Sequence, residues 1–312
     1  MILYNTKNWY TTIFRFAILL KRSYTQKAIL RAQLMIIFYV SVVTVLNLEM
    51  TQIKFGINPI FFTLVGLILS LALVFRLNSA YNKWWEGRQQ WGALVNDCRT
   101  LASTIHTLLP DDMEAERAWF GRQISNFPFA LMGHLRDESA LEEMTAADPE
   151  SWAKIEAAVH KPHVLATQIF QRVQALVKTG VLSEIDKLMI KKQIEQFVNI
   201  LGACERIKKT PIPFSHADFI KRLILVYGLS LPFGIMDTFG YATIPAAALI
   251  SYALVGLEII SEEIEMPFGT DANDLPLRGM ASTIQENVLT ILEVPHTVYE
   301  APKRIKWLMV QD

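Results

Sequence analysis

The chain has 312 residues, more than one small domain needs and enough for a membrane part joined to a soluble part. Apolar residues make up 52% and charged residues 19%, so the apolar share exceeds that of ordinary soluble domains while a sizeable portion still faces water. A formal net charge of zero gives no basis for binding nucleic acid or an anionic surface.

Residues 1–31 mix aromatics with Lys7, Arg15, Lys21, Arg22, Lys27 and Arg31 and contain no acidic residue. This opening reads as a basic segment lying at a membrane interface on the cytoplasmic side. It does not read as a cleaved leader, because the next apolar run ends at Leu46-Asn47-Leu48-Glu49 without small residues at a cleavage site. Ala32–Leu48 supplies 17 uncharged residues, the lower limit for a spanning helix. A short, nearly neutral connection around Glu49 and Lys54 follows.

Between Lys54 and Arg76 lie 21 residues without a charge. As a helix they extend roughly 30 Å, the thickness of a bilayer hydrocarbon core. The run then enters a crowded polar and aromatic cuff: Arg76, Asn78, Ser79, Tyr81, Asn82, Lys83, Trp84, Trp85, Glu86 and Arg88. A simple anchor would end in a featureless linker, so the helix is expected to continue into a second packed body outside the lipid. Lys83, Arg88 and Arg99 follow this span and basic residues precede the first. The first two spans therefore form a hairpin with both ends in the cytoplasm.

Residues 93–217 have helical spacing throughout. Leu94, Val95, Cys98, Leu101, Ala102, Ile105 and Leu108 form one amphipathic face. Similar faces recur in 118–134 (Trp119, Phe120, Ile124, Phe127), in 164–178 and in 184–207 (Ile185, Leu188, Ile194, Phe197, Leu201). The acidic stretch Asp137–Glu150 reads as a solvated loop or weak helix. Charge disappears again after Lys221 and Arg222: Leu223–Met236 gives 14 uncharged residues and Thr238–Leu257 gives 20. The shorter run could equally be a buried core helix, but together they read as a second hairpin with its turn at Asp237–Ala242. Glu258, Glu262, Glu263 and Glu265 follow, and the tail 280–307 carries amphipathic patches (Ile291, Val294, Ile305, Trp307) suited to lying on another surface.

The expected class is all-α: four transmembrane helices and a helical cytoplasmic domain. The organisation is 1–92 for the N-terminal segment, first hairpin and cuff, 93–217 for the cytoplasmic helices, 218–260 for the second hairpin and 261–312 for a cytoplasmic tail. No inverted repeat of the rocking-transporter kind is evident.

Catalytic signatures are missing from the sequence: there is no HExxH, phosphate-cradling loop or nucleophile elbow. His160 and His163 form HKPH, but Pro162 is expected to interrupt a helix and no acidic ligand is close in sequence, so they read as surface histidines. His106, His134, His216 and His296 are scattered. Trp84, Trp85 and Trp91 read as an interfacial belt or subunit packing rather than a ligand cage. The only cysteines, Cys98 and Cys204, sit in no paired spacing and read as buried thiols of a reducing compartment. Arg76 either faces outward from its helix or pairs with Glu86.

Three stretches carry a family resemblance: FRLNSAYNKWWEGRQQWGALVNDCR after the second span, CERIKKTPIPF (Cys204–Phe214) and EEIEMPFGTDANDLP (Glu262–Pro276). In order and spacing they resemble the bestrophins in their bacterial branch, over roughly residues 5–300. The resemblance implies a homopentameric ion channel in a bacterial plasma membrane, with both termini cytoplasmic and the second span lining an axial pore. Its hydrophobic neck then falls on Leu67, Leu71 and Phe75, the last of them nine residues before the Trp-Trp pair. Steps of four keep the three on one helical stripe, and a ring of such residues gates by emptying of water. The lower constriction falls on Ile185, with Leu188 as its competitor.

The implied permeants are small monovalent ions, either chloride and other anions or Na+ and K+, and no resident cofactor is implied. Animal relatives bind calcium in the loop corresponding to Pro267–Asp274. Here Asp271 and Asp274 remain as oxygen ligands, whereas Ala272 and Asn273 interrupt the acidic run and Met266 replaces a polar ligand. A packed turn is therefore the expected role of this loop. The competing functions are an integral-membrane enzyme and a non-conducting scaffold.

Overall fold

The computed structural model describes residues 2–4, 24–51, 53, 57–271, 273–295 and 308–310. Among them the chain is helical apart from one three-residue antiparallel pair, β1 (Ile2–Tyr4) with β2 (Leu308–Val310). Residues 5–23 of the basic opening, and Ile305 and Trp307 of the tail, lie outside the described residues.

Helix α1 (Tyr24–Leu46) ends in a π-helical turn, Asn47–Thr51. Helix α2 (Pro59–Leu108) then runs unbroken for 50 residues, about 75 Å at the α-helical rise. Its start is well specified: Pro59 occupies the first turn, where its missing N–H costs nothing, and the Asn58 side chain accepts from the Ile60 N–H at 3.0 Å. In its apolar half Ser70 donates to Gly66 O at 2.7 Å, and just beyond Arg76 Ser79 donates to Phe75 O at 2.9 Å. These hydroxyls are thus satisfied inside the helix and need no water.

Helix α2 belongs to two hydrophobic cores at once. Phe62, Leu69 and Leu73 pack with Val40 of α1, with Ile224 and Leu231 of α7 (Phe214–Phe239) and with Ala247 of α8 (Thr243–Ile264). Trp91, Leu94, Cys98, Leu101 and Ile105 belong to the second core. That core is completed by α3 (Glu114–Arg136), α4 (Pro149–Ala157), α5 (Lys161–Lys178), α6 (Glu184–Lys209) and α9 (Leu277–Ile291). Residues 92, 217 and 260 all fall inside helices.

Among the described residues, three helical stretches are long and apolar enough to cross a membrane: 25–50, 59–108 and 214–264. The third folds as two helices, because the 3-10 turn Gly240–Ala242 with Gly240 at φ 53° reverses the chain. Lys221 near the start of α7 consequently meets Glu262 near the end of α8 at 2.7 Å. The 14-residue run Leu223–Met236 is part of this hairpin.

Several local expectations are corrected. The stretch Asp137–Glu150 is largely exposed loop with one 3-10 turn, Leu141–Glu143, as expected, but it is also anchored: Asn126 donates to Thr145 O at 2.7 Å and accepts its N–H at 2.9 Å, and Ala140 and Met144 are buried. Val294 of the tail is also buried, against the chain's own core. On α6 the buried face is Ile190, Ile194, Phe197, Leu201 and Cys204, whereas Ile185 and Leu188 lie off it. Pro162 starts α5 instead of interrupting it, since a first-turn proline loses no hydrogen bond.

Candidate functional site

Three segments far apart in sequence meet where α2 leaves the apolar core. Arg76 is 1% exposed, on the buried stripe that also carries Leu69, Leu73 and Ala80. Its Nη1 lies 2.8 Å from Glu265 Oε2 and its Nε 3.7 Å from Glu258 Oε1. Glu265 also accepts the backbone N–H of Ile212 at 2.8 Å. One carboxylate therefore joins α2, the link between α6 and α7, and the end of α8.

The charges at this junction are close but poorly directed. Arg76 Nε and Nη1 make no aligned hydrogen bond, and both oxygens of Glu258 are buried without one. A buried ion pair of this kind incurs the desolvation cost of both charges while forgoing the directed bonds that offset it. Arg76 thus neither faces outward nor pairs with Glu86, the two alternatives drawn from the sequence. Glu86 is ten residues further on, about 15 Å along the helix axis, and takes Arg206 of α6 instead at 2.6 Å.

Below the junction the cuff is held by the loop that follows α8. Trp84 Nε1 donates to Asn273 O at 3.0 Å. Gly87 lies against the Phe268 ring, where a Cβ would sit 3.1 Å from Cε1. Tyr81 stacks between Trp84 and Trp85 at centroid distances of 6.1 and 6.4 Å. Trp91 is fully buried in the soluble core, which excludes it from any interfacial belt.

The opposite stripe of α2 is exposed in the single chain. Leu67, Leu71 and Phe75 are 68%, 57% and 59% accessible. Further along the helix, exposed positions on this side change character to Ser79, Asn82 and Gln89. Helix α6 runs back along the lower half of α2, with Gln193 donating to Thr104 at 2.9 Å. Ile185 and Leu188, both exposed, sit in its first turns toward the Leu108 end, well away from Phe75.

The Pro267–Asp274 loop is a packed turn. Asp274 is 2% exposed and its Oδ2 accepts the Asp271 N–H at 2.7 Å, closing the loop against Gly269. Its Oδ1 is buried without a hydrogen bond. Asp271 is exposed, and among the described residues no group of three carboxylate or imidazole donors gathers here.

Burial pushes the Asp274 carboxyl up to about 7, against the pull of the Asp271 N–H and with the nearby charges of Asp271 and Glu263 adding to the rise. Since the folded value exceeds the ordinary 3.8, the folded chain holds this proton more tightly than the unfolded one. The resulting stability is full below the unfolded value and is lost as pH rises through about 7. Thermal melts of the parent and Asp274→Asn should therefore diverge, with the parent gaining on the variant as pH falls from 7.5 to 4.5. A difference that stays constant over that interval counts against the assignment.

Cys98 and Cys204 are free and buried, and burial pushes the Cys204 thiol up to about 12. The expected isolation of His160 is corrected, because folding brings it to Glu205 at 3.0 Å and beside His134. The sequence carries no local sign of that cluster or of the Arg76 junction. Its one available hint is that Glu258 and Glu265 are seven residues apart, hence on one side of a helix.

The family model for bacterial and fungal bestrophins matches residues 2–290. The chain belongs to the bestrophin family. Among its relatives is a voltage-dependent anion channel-forming protein of Synechocystis sp., 35% identical over 74% of this chain and 76% of that protein. A protein of the same description from Mesorhizobium japonicum is 34% identical over 80% of each chain. The crystal structure of a bacterial bestrophin homologue from Klebsiella pneumoniae superposes with a TM-score of 0.79 at 26% identity, covering 86% of this chain and all of that one. This bestrophin is thus an all-helical membrane protein, and its three motifs are the segments that meet around Arg76, Glu265 and the cuff.

Proposed function

We propose that this bestrophin forms a homopentameric membrane channel that passes small anions passively through an axial pore lined by α2. The observation that carries this reading is the two-sided character of α2. One stripe is locked into the subunit core, while Leu67, Leu71 and Phe75 present an uncharged, exposed stripe through the apolar half. The anion-channel descriptions of the relatives support the choice of ion.

A dry apolar constriction opposes a bare ion by tens of kcal/mol in continuum terms, so conduction needs the neck wide enough to stay wet. Five copies of the side chain in each ring make small movements count, because each is repeated around the axis. With Arg76 turned into the core, the neck carries no charged filter. Preference for anions is then left to the electropositive ring edges of Phe75. Ile185 forms the lower constriction near the cytoplasmic mouth, on an element separate from the neck. Both termini lie on the cytoplasmic side of a bacterial plasma membrane, a reading supported by Lys83, Arg88 and Arg99 after the second span. Transport needs no resident cofactor.

The test is planar-bilayer recording of purified protein in asymmetric KCl. The expected result is a reversal potential near the chloride equilibrium, from particles whose mass is five times that of the chain. Leu71→Ala should raise conductance or open probability several-fold. Absence of current overturns the channel reading, and unchanged currents in the variant overturn the neck.

A further inference from the structure

We propose that His134, His160 and Glu205 form a binding site for a divalent transition-metal ion of the zinc class in the soluble body. The three residues come from three elements: the last turn of α3, the residue just before α5, and the last third of α6. Their ligating atoms all lie within 4.8 Å of one another. Both imidazoles aim Nε2 at the same oxygen, Glu205 Oε1, at 2.6 Å from His134 and 3.0 Å from His160. In a tetrahedral zinc site with bonds of about 2.0–2.1 Å, neighbouring ligand atoms are roughly 3.3 Å apart. To admit an ion, Glu205 Oε1 has to part from His134 Nε2 by about 0.7 Å and from His160 Nε2 by about 0.3 Å.

The donor set selects the class of ion. Two imidazoles and one carboxylate are a zinc set that leaves a fourth position for water, whereas calcium and magnesium take oxygen ligands. Side-chain exposures of 25%, 42% and 23% leave the ligands accessible from solvent. As ligands, the neutral rings carry their remaining proton on Nδ1. The exchange of tautomer gives up the Nε2–H contacts with Glu205 in favour of bonds to the metal, and disturbs nothing at His160 Nδ1, which makes no hydrogen bond in the present arrangement. The site adjoins a second link between helices, since the next residue, Arg206, holds Glu86 of α2. An ion there ties α3, α5 and α6 together beside the contact with the long helix.

Full-length protein purified without a histidine tag, stripped with chelator and kept in detergent, tests the proposal by titration with Co2+ and displacement by Zn2+. The expected result is one Co2+ per chain with the visible bands of tetrahedral coordination. Zn2+ should displace it and raise the melting temperature of the parent. His160→Gln and Glu205→Gln should each weaken binding about tenfold or more, since even outer-shell changes reach that size. His163→Ala, whose ring centroid is 6.1 Å from that of His160, should bind as the parent does. Helicity and melting of the metal-free variants identify any that fail to fold, and the melting shift of the parent stands independently of them. No saturable binding by the parent, or full affinity in both ligand variants, overturns the site.

Discussion

Arg76→Met is expected to destabilise the protein by about 3–5 kcal/mol, the usual cost of stripping one partner from a buried charge pair. The size follows from what remains: Glu258 and Glu265 are both buried, and Arg76 is the cation closest to each in the junction. The companion change Glu258→Gln should behave in the opposite way. It removes a buried carboxylate whose oxygens make no hydrogen bond, while Arg76 keeps Glu265 at 2.8 Å. Its effect should be near zero or stabilising. Thermal unfolding of detergent-solubilised protein checks both, with fluorescence size-exclusion profiles as a guard against aggregation. Equal losses in the two variants would mean that Glu258 anchors the junction as much as the arginine does.

Gly234→Ala should come next in severity. A Cβ at this position of α7 would overlap the ring of Phe62, which is buried on α2 at 4% exposure. The overlap is with a ring gripped by its neighbours, so relief requires the two helices to separate. Overpacking of this kind costs about 1–3 kcal/mol and sometimes more. Because the conflict is pairwise, shrinking the partner should relieve it: Phe62→Leu combined with Gly234→Ala should recover a large part of the loss. Purely additive losses in the double variant would show that glycine serves some other purpose there.

The sequence states plainly those features that repeat with a local period. The charge-free run before Arg76, the amphipathic faces of 94–108 and 118–134, and the break at Asp237–Ala242 all appear as helices and turn where patterning puts them. The continuation of the second span into a packed body was legible from Arg76 to Arg88, because no solvated linker is so dense in aromatics. What stayed hidden is pairing across distance. Arg76 meets Glu265 over 189 positions of chain, and His134 meets Glu205 over 71. No helical period encodes either pairing; each depends on how helices dock. Misplacement of Ile185 and Leu188 on the core face of α6 has a related cause. Apolar residues at plausible steps satisfy the pattern even when nothing in the same subunit covers them.

The unbroken length of α2 has a mechanical consequence. A rod of about 75 Å has its midpoint near Lys83 and Trp84, where the loop bearing Phe268 and Asn273 grips it. That grip is a fulcrum. Tilting the rod by one degree about it carries each tip roughly 0.6 Å sideways, in opposite directions, at this length. With no proline between Pro59 and Leu108 to act as a joint, a push on the Leu108 end is delivered to the Phe62 end as leverage, geared nearly one to one.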